Sequence, residues 1–251
     1  MGSGSGKARR AKVSAVAPAS QLVEDKNGTK EWRDGNGKLH REDGPAVERA
    51  DGYNEWRQAG LLHREDGPAV VKGDGTRMWY IGGELHREGG PAVKEADGSK
   101  FWYIGGELHR DGGPAIEQAN GFKRWCQHGE THRDDGPAVE NADGSKSWFQ
   151  NNMLHREDGP AMKNSDGGTR WMRNGKEHRE GAPAVEDRDG YKEWWVDGQR
   201  HREDGPAVED PRLGNEWWVE GKEVTEEEVE KIQNLKRLSG IKLGAPDKVV
   251  F

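Results

Sequence analysis

A single cysteine, Cys126, stands among 251 residues, which excludes an intramolecular disulfide framework and a cysteine-based zinc site. Hydrophobic residues are scarce as well, 31% against 34% charged with a mean hydropathy of −1.14, a balance that by itself leans toward disorder. No apolar run has the length to span a bilayer, and residues 1–20 lack the apolar core of a signal peptide. These absences point to a cytoplasmic protein. Basic charge is thin in the body of the chain: Lys7, Arg9, Arg10 and Lys12 meet no acid within residues 1–20, so the formal net charge of −7, less those four, leaves −11 for residues 21–251. Non-specific affinity for nucleic acid depends on a basic surface, so the acidic body is not expected to bind it.

What the chain has instead is period. Histidines at 40, 63, 86, 109, 132, 155, 178 and 201 each fall 23 residues after the last, and each is followed by Arg. Prolines from Pro45 to Pro206 keep the same step, each followed by Ala, and so do the tryptophans from Trp56 to Trp217. Trp32 is one residue out of step because Asp34 to Gly37 holds an insertion. Such self-similarity is the signature of a repeat architecture, in which units gain stability by stacking on neighbours.

Within a unit, Gly-Pro-Ala-Val opens an extended segment that ends at Asp-Gly or Asn-Gly, as at Asp97-Gly98 and Asn120-Gly121. That dipeptide predicts a hairpin with a type I′ turn. An aromatic run follows, such as Lys100-Phe101-Trp102-Tyr103-Ile104, then a second turn at Gly105-Gly106 and the segment Glu107-Leu108-His109-Arg110. On one strand Lys100, Trp102 and Ile104 would share a side, which makes the constant Trp ladder the expected packed face. Two turn signals per unit favour a hairpin array, an elongated one of roughly 75–80 Å at two strand spacings per unit, over a β-helix with one coil per repeat.

The unit resembles a MORN repeat, also a 23-residue β-hairpin with a Gly-bounded turn and an aromatic strand. The likeness covers residues 24–223, although Glu55-Trp56 or Glu193-Trp194 stands where that family has Gly-Glu-Trp, and the block His-Arg-Glu-Asp-Gly-Pro-Ala is extra. The resemblance implies an all-β array of eight MORN-like hairpins acting as a scaffold or solenoid for protein contacts, with lipid contact in some members.

A His, an Arg and an acid in every unit invite a catalytic or metal reading. An active site needs one constellation that differs from its surroundings, whereas here every unit carries the same set. The simpler expectation is structural: Arg donating its planar fork to the carboxylate of its own or the next unit, and His packing on the Trp layer or bonding a turn carbonyl. One imidazole per unit is also a poor first shell for zinc, so no metal or cofactor is expected. Acidic pairs such as Glu65-Asp66 give way to Glu88-Gly89 and Asp111-Gly112, a loss that a calcium loop would not tolerate. The candidate binding residues, for a small anion or metabolite held between units, are His86, Arg87, His109, Arg110, His132, Arg133, His155 and Arg156. No nucleophile elbow or phosphate loop is present, so the expected function is non-enzymatic, protein–protein interaction first and repeated anion pockets second.

The ends differ. After Trp217 the His is replaced by Val224, and Thr225 with Glu228 predicts a capped helix whose Val229, Ile232, Leu235 and Leu238 form an apolar stripe over the last hairpin. Residues 1–20 read as a basic Gly/Ser/Ala-rich tail, 21–223 as the array, and 224–251 as the capping helix and its tail.

Overall fold

The computed structural model describes residues 20–240; the basic tail, apart from Ser20, and the segment after Gly240 lie outside them. The chain forms two compact units, Met1–Gly83 and Glu84–Phe251. Both are built from antiparallel hairpins, which excludes the one-coil β-helix. In the first unit Gln21–Glu24 pairs with Lys30–Arg33, and the meander continues through Val47–Glu48, Asn54–Glu55, Val70–Val71 and Arg77–Met78. In the second, the same meander runs from Val93–Lys94 and Lys100–Phe101 through Ile116–Glu117 and Lys123–Arg124 to Val208–Asp210 and Gly214–Val219.

From Trp56 to Trp194 each aromatic run is two strands, not one, whereas Lys30–Arg33 and Gly214–Val219 run unbroken through Trp32 and Trp217. Lys100–Phe101 belongs to the meander and Tyr103–Ile104 pairs with Glu107–Leu108 as a separate short hairpin. Trp102 is the joint between them: its N–H donates to the Ala115 carbonyl at 2.8 Å, and its own carbonyl accepts from the His109 N–H at 3.1 Å. The alternation expected of a continuous strand is therefore broken, and Ile104, placed with Trp102 on the packed side by strict alternation, is 39% exposed.

Turn chemistry is the reverse of the sequence reading. At Asp97-Gly98 only the glycine has positive φ, +94°, and the Gly98 N–H returns to the Glu95 carbonyl, so the turn is longer than two residues. The Asp97 carboxylate holds it by accepting from the Ser99 N–H at 2.8 Å, which explains the Asp without a left-handed backbone. The two-residue turn with both central φ positive, the type I′ pattern, is the second one: +57° and +80° at Gly105-Gly106, +49° and +64° at Asn151-Asn152.

The core is narrower than a Trp ladder. The alanine after the proline of each repeat, Ala46 to Ala207, is wholly buried, and the next residue is nearly so at Val47, Val70, Val185 and Val208. Of the tryptophans only Trp194 is buried. The rest are half-buried, and in repeats such as those of Trp102, Trp125 and Trp148 the ring is covered by the Arg of the same repeat, with its guanidinium carbon 3.8–4.2 Å from the ring centroid in the pairs Arg110–Trp102, Arg133–Trp125 and Arg156–Trp148.

The C-terminal helix spans Glu226–Leu238, with the expected capping box between Thr225 and Glu228. It lies on Gly214–Val219 and donates from Gln233 Nε2 to the Glu203 carbonyl at 2.8 Å, while Lys236 pairs with the Glu203 carboxylate. Only half of the apolar stripe is used: Val229 is buried, whereas Leu235 and Leu238 are 66% and 84% exposed. No helix among the described residues is long and apolar enough to cross a membrane.

Candidate functional site: the histidine–arginine blocks and the clefts between them

Every His of the series faces the next repeat. Nδ1 of His86 accepts from the Gly105 N–H at 3.1 Å, His109 from His128 at 3.2 Å, His132 from Asn151 at 3.3 Å and His155 from Asn174 at 3.2 Å. The same bond joins His40 to Ala59 and His201 to Glu220. The donor is always the first residue of the type I′ turn, which at Ala59, His128 and Glu220 has φ near +50° although it carries a Cβ. The ring therefore grips a backbone position that is costly to hold. Nε2 points at the acid two residues on, 3.0 Å to Asp134 from His132 and 3.4 Å to Asp111 from His109, and Nδ1 of His132 and His155 also lies 3.0 and 2.8 Å from the side-chain oxygens of Asn151 and Asn174.

The Arg is equally committed. Arg133 Nε donates to Asp135 at 2.8 Å and Nη1 to the Pro137 carbonyl at 3.2 Å, while its face covers Trp125. Arg156 repeats this with Asp158 and Pro160. The hydrogen bond and then the charge of Arg133 hold the Asp135 carboxyl below the usual carboxylate range, and Arg156 does the same for Asp158. A Cβ on Gly136 would stand 2.9 Å from the guanidinium carbon, so the glycine before each proline makes room for the fork. Ala182 is the one exception, and there the preceding Gly181 has φ +68°.

The second acid is missing at Gly89, Gly112 and Gly181, and there Arg110 and Arg179 keep Nη1 on the proline carbonyl and on a strand glutamate. Gly112 replaces it after Arg110, and Arg110 gives only Nη1 to protein acceptors, Pro114 at 3.0 Å and Glu117 at 2.7 Å. Arg87, followed by Gly89, donates Nη1 to Pro91 at 3.2 Å.

The eight candidate residues thus come together in neighbouring pairs of blocks, with open clefts between them. One, of about 490 Å³, is lined by Arg133, Asp135, Trp148, His155 and Arg156; another, of about 200 Å³, by Arg110, Trp125, His132 and Arg133; a third, of about 540 Å³, by Arg87, Trp102, His109 and Arg110. His86 makes its turn bond without lining any of the three. Two residues of the third cleft escaped the sequence reading, Ile104 and His128. The signal for the second was present: His128 is the ninth histidine and the only one off the 23-residue step. Among the described residues no group of three or more His, Cys, Asp or Glu side chains is arranged to hold a metal ion. Burial pushes the Cys126 thiol up, away from the reactive thiolate.

No family model matches the chain, and no curated protein matches it.

Proposed function

We propose that the chain is a non-enzymatic, MORN-like scaffold that offers the outer face of its short hairpins to a protein partner in the cytoplasm. One observation carries this reading. The invariant polar chemistry is turned inward, His onto the next turn and Arg onto Trp and its own loop, whereas the outward hairpin positions change from repeat to repeat: Ile104 opposite Glu107, Gln127 opposite Glu130, Gln150 opposite Met153, Arg173 opposite Lys176. Ile104 and Met153 are 39% and 46% exposed there, with no structural task that requires an apolar side chain. A constant frame carrying a variable, partly apolar face suits recognition better than chemistry.

Cross-linking the intact array to its partner in cells, followed by the doubly substituted Ile104→Lys, Met153→Lys chain, tests the reading. Capture is expected to fall while circular dichroism is unchanged. Equal capture by the substituted chain, with loss instead on changing the meander turn at Asp143 and Lys146, would place the contact elsewhere and overturn it.

A further inference from the structure

The two ends of the repeat series are finished differently. At the C-terminal end the helix Glu226–Leu238 lies on Gly214–Val219, the last strand of the meander. At the other end stands Gln21–Glu24, whose four residues are all exposed. Gln21-Leu22-Val23-Glu24 takes the place of Pro45-Ala46-Val47-Glu48, with Leu22 ten residues before Trp32 as Ala46 is before Trp56. In the later repeats this segment is wrapped by a strand of the preceding unit. Val47 and Val70 face Glu31 and Glu55, the carbonyls of Ala46 and Ala69 accept from the Trp32 and Trp56 N–H at 2.9 and 2.7 Å, and all four side chains are buried. Leu22 and Val23 are 52% and 51% exposed. Backbone groups are left over there as well. Val23 faces Glu31 and the Asp25 N–H donates to the Thr29 carbonyl at 3.0 Å, so alternate residues bond within the hairpin, and the N–H and C=O of Leu22 and Glu24 point away from it. Exposed edges are commonly guarded by lysine, proline, a bulge or a covering element. Among the described residues this edge has no such guard: Gln21–Glu24 holds no Lys or Pro, pairs in unbroken register, and has no side chain buried.

We propose that this edge pairs with the same edge of a second copy of the chain, antiparallel about a two-fold axis through Leu22. The repeats themselves show what covers such a segment, an antiparallel strand whose backbone bonds the outward carbonyl, and Gln21–Glu24 is its own complement in that role. Leu22 then meets Leu22 of the second copy, and Glu24, the one charged residue of the strand, meets Ser20 in place of its own image, so no like charges are opposed. Only outward groups are used, and neither hairpin has to change. A contact between like surfaces closes after two copies, and head-to-tail growth is stopped by the helix on Gly214–Val219. The inference goes beyond the partner-binding face and does not depend on it.

Sedimentation equilibrium of the full chain tests the pairing. A short edge makes a small interface, so a monomer–dimer equilibrium with Kd on the order of 10–100 μM is expected. Leu22→Pro removes an outward N–H and leaves the hairpin bonds in place; it should weaken dimerisation at least about tenfold with circular dichroism unchanged. Two cysteine variants read the register. The Cα atoms of a hydrogen-bonded antiparallel pair stand about 5.5 Å apart, within disulfide reach, so Leu22→Cys should oxidise to a covalent dimer. Leu61→Cys, equally exposed at 53%, should not cross-link, and the native Cys126 is buried. A chain that stays monomeric to about 1 mM, growth beyond a dimer, undiminished dimerisation of Leu22→Pro, or equal cross-linking through Leu61→Cys would each overturn the proposal.

Discussion

Two strips run through the repeats, and they obey opposite rules. The first is the His-Arg block with its Gly-Pro-Ala, nearly invariant, whose bonds reach the next repeat's turn or the Trp of its own. The second is the set of three positions around each Trp, the residues just before and just after it and the one opposite across the short hairpin, where almost nothing is constant. These triplets are nevertheless consistent one by one. Phe101, Tyr103 and Leu108 are apolar together; Arg124 donates Nε to Thr131 at 2.8 Å beside buried Cys126; Arg170 faces Glu177 at 3.9 Å; Glu193 is buried under Tyr191, Trp195 and Arg200. Contacts between repeats fix the first strip, because a change there must suit its neighbours. Most triplets settle their polar groups within one unit and are free to drift so long as all three members drift together.

The largest effect should come from breaking the first strip at its joint. Trp125→Ala removes the ring that Arg133 covers and is expected to cost about 3 kcal/mol, the low end for a large aromatic because the ring is only half-buried. Urea denaturation measures it, and a nearly neutral result would show that the buried alanines carry the packing alone. Next comes a triplet broken in one member: Glu193→Ala leaves Arg200 with Glu216 alone and takes the acceptor from Tyr191 and Trp195, and a loss of roughly 2–3 kcal/mol is expected, less than for a fully buried pair because Arg200 is partly exposed. The double change Glu193→Ser with Arg200→Leu, which copies Ser147 and Leu154, should recover most of that loss in the same titration; failure to recover would mean that triplets are not autonomous.

His132→Gln should cost about 1 kcal/mol, since the bonds at stake, from Nδ1 to Asn151 and from Nε2 to the exposed Asp134, can be replaced in part by the amide. Hydrogen exchange at Asn151 resolves this change, and a protection factor untouched by it would remove His from the frame. The smallest effect lies at alkaline pH. Burial first and the neighbouring Glu193 second push the Tyr191 hydroxyl up to about 12 from its ordinary 10.0, and Tyr53 beside Glu55 behaves alike. A raised folded value gives stability that is complete below pH 10 and is lost as the pH climbs toward 12. Tyr191→Phe should flatten that decline in a pH series of thermal melts, and an unchanged slope would count against the hydroxyl–carboxylate contact.

Much of this frame was legible in the residues. The 23-residue step gave the hairpins, Thr225 with Glu228 marked the helix start, and the constancy of the blocks argued for a structural use that the His and Arg bonds display. Other features were hidden because they depend on groups the sequence separates. The type I′ turn sits at Asn151-Asn152 or Gly105-Gly106, since the Asp of Asp-Gly spends its side chain on the backbone two residues later and needs no left-handed geometry itself. Alternation failed at Trp102 because the strand breaks there. The triplets were invisible since their members lie up to seven residues apart and meet only across a hairpin, as do Arg124 and Thr131. In the helix, equal spacing of Val229 and Leu238 said nothing of where the underlying strand ends.

The histidine bond is one-way: each unit extends a ring toward the C-terminus and offers a backbone N–H toward the N-terminus. A junction of that kind joins unlike surfaces, and unlike-surface junctions do not terminate themselves; they continue until something stops them. The chain therefore has polarity in the sense that a filament does, with a donor end and an acceptor end. It stops where Val224 takes the place of the next histidine and the helix at Glu226–Leu238 lies over Gly214–Val219. Copy number is then a quantity written only in the gene, and duplicating an internal 23-residue segment would extend the series by one register without any new interface having to be invented.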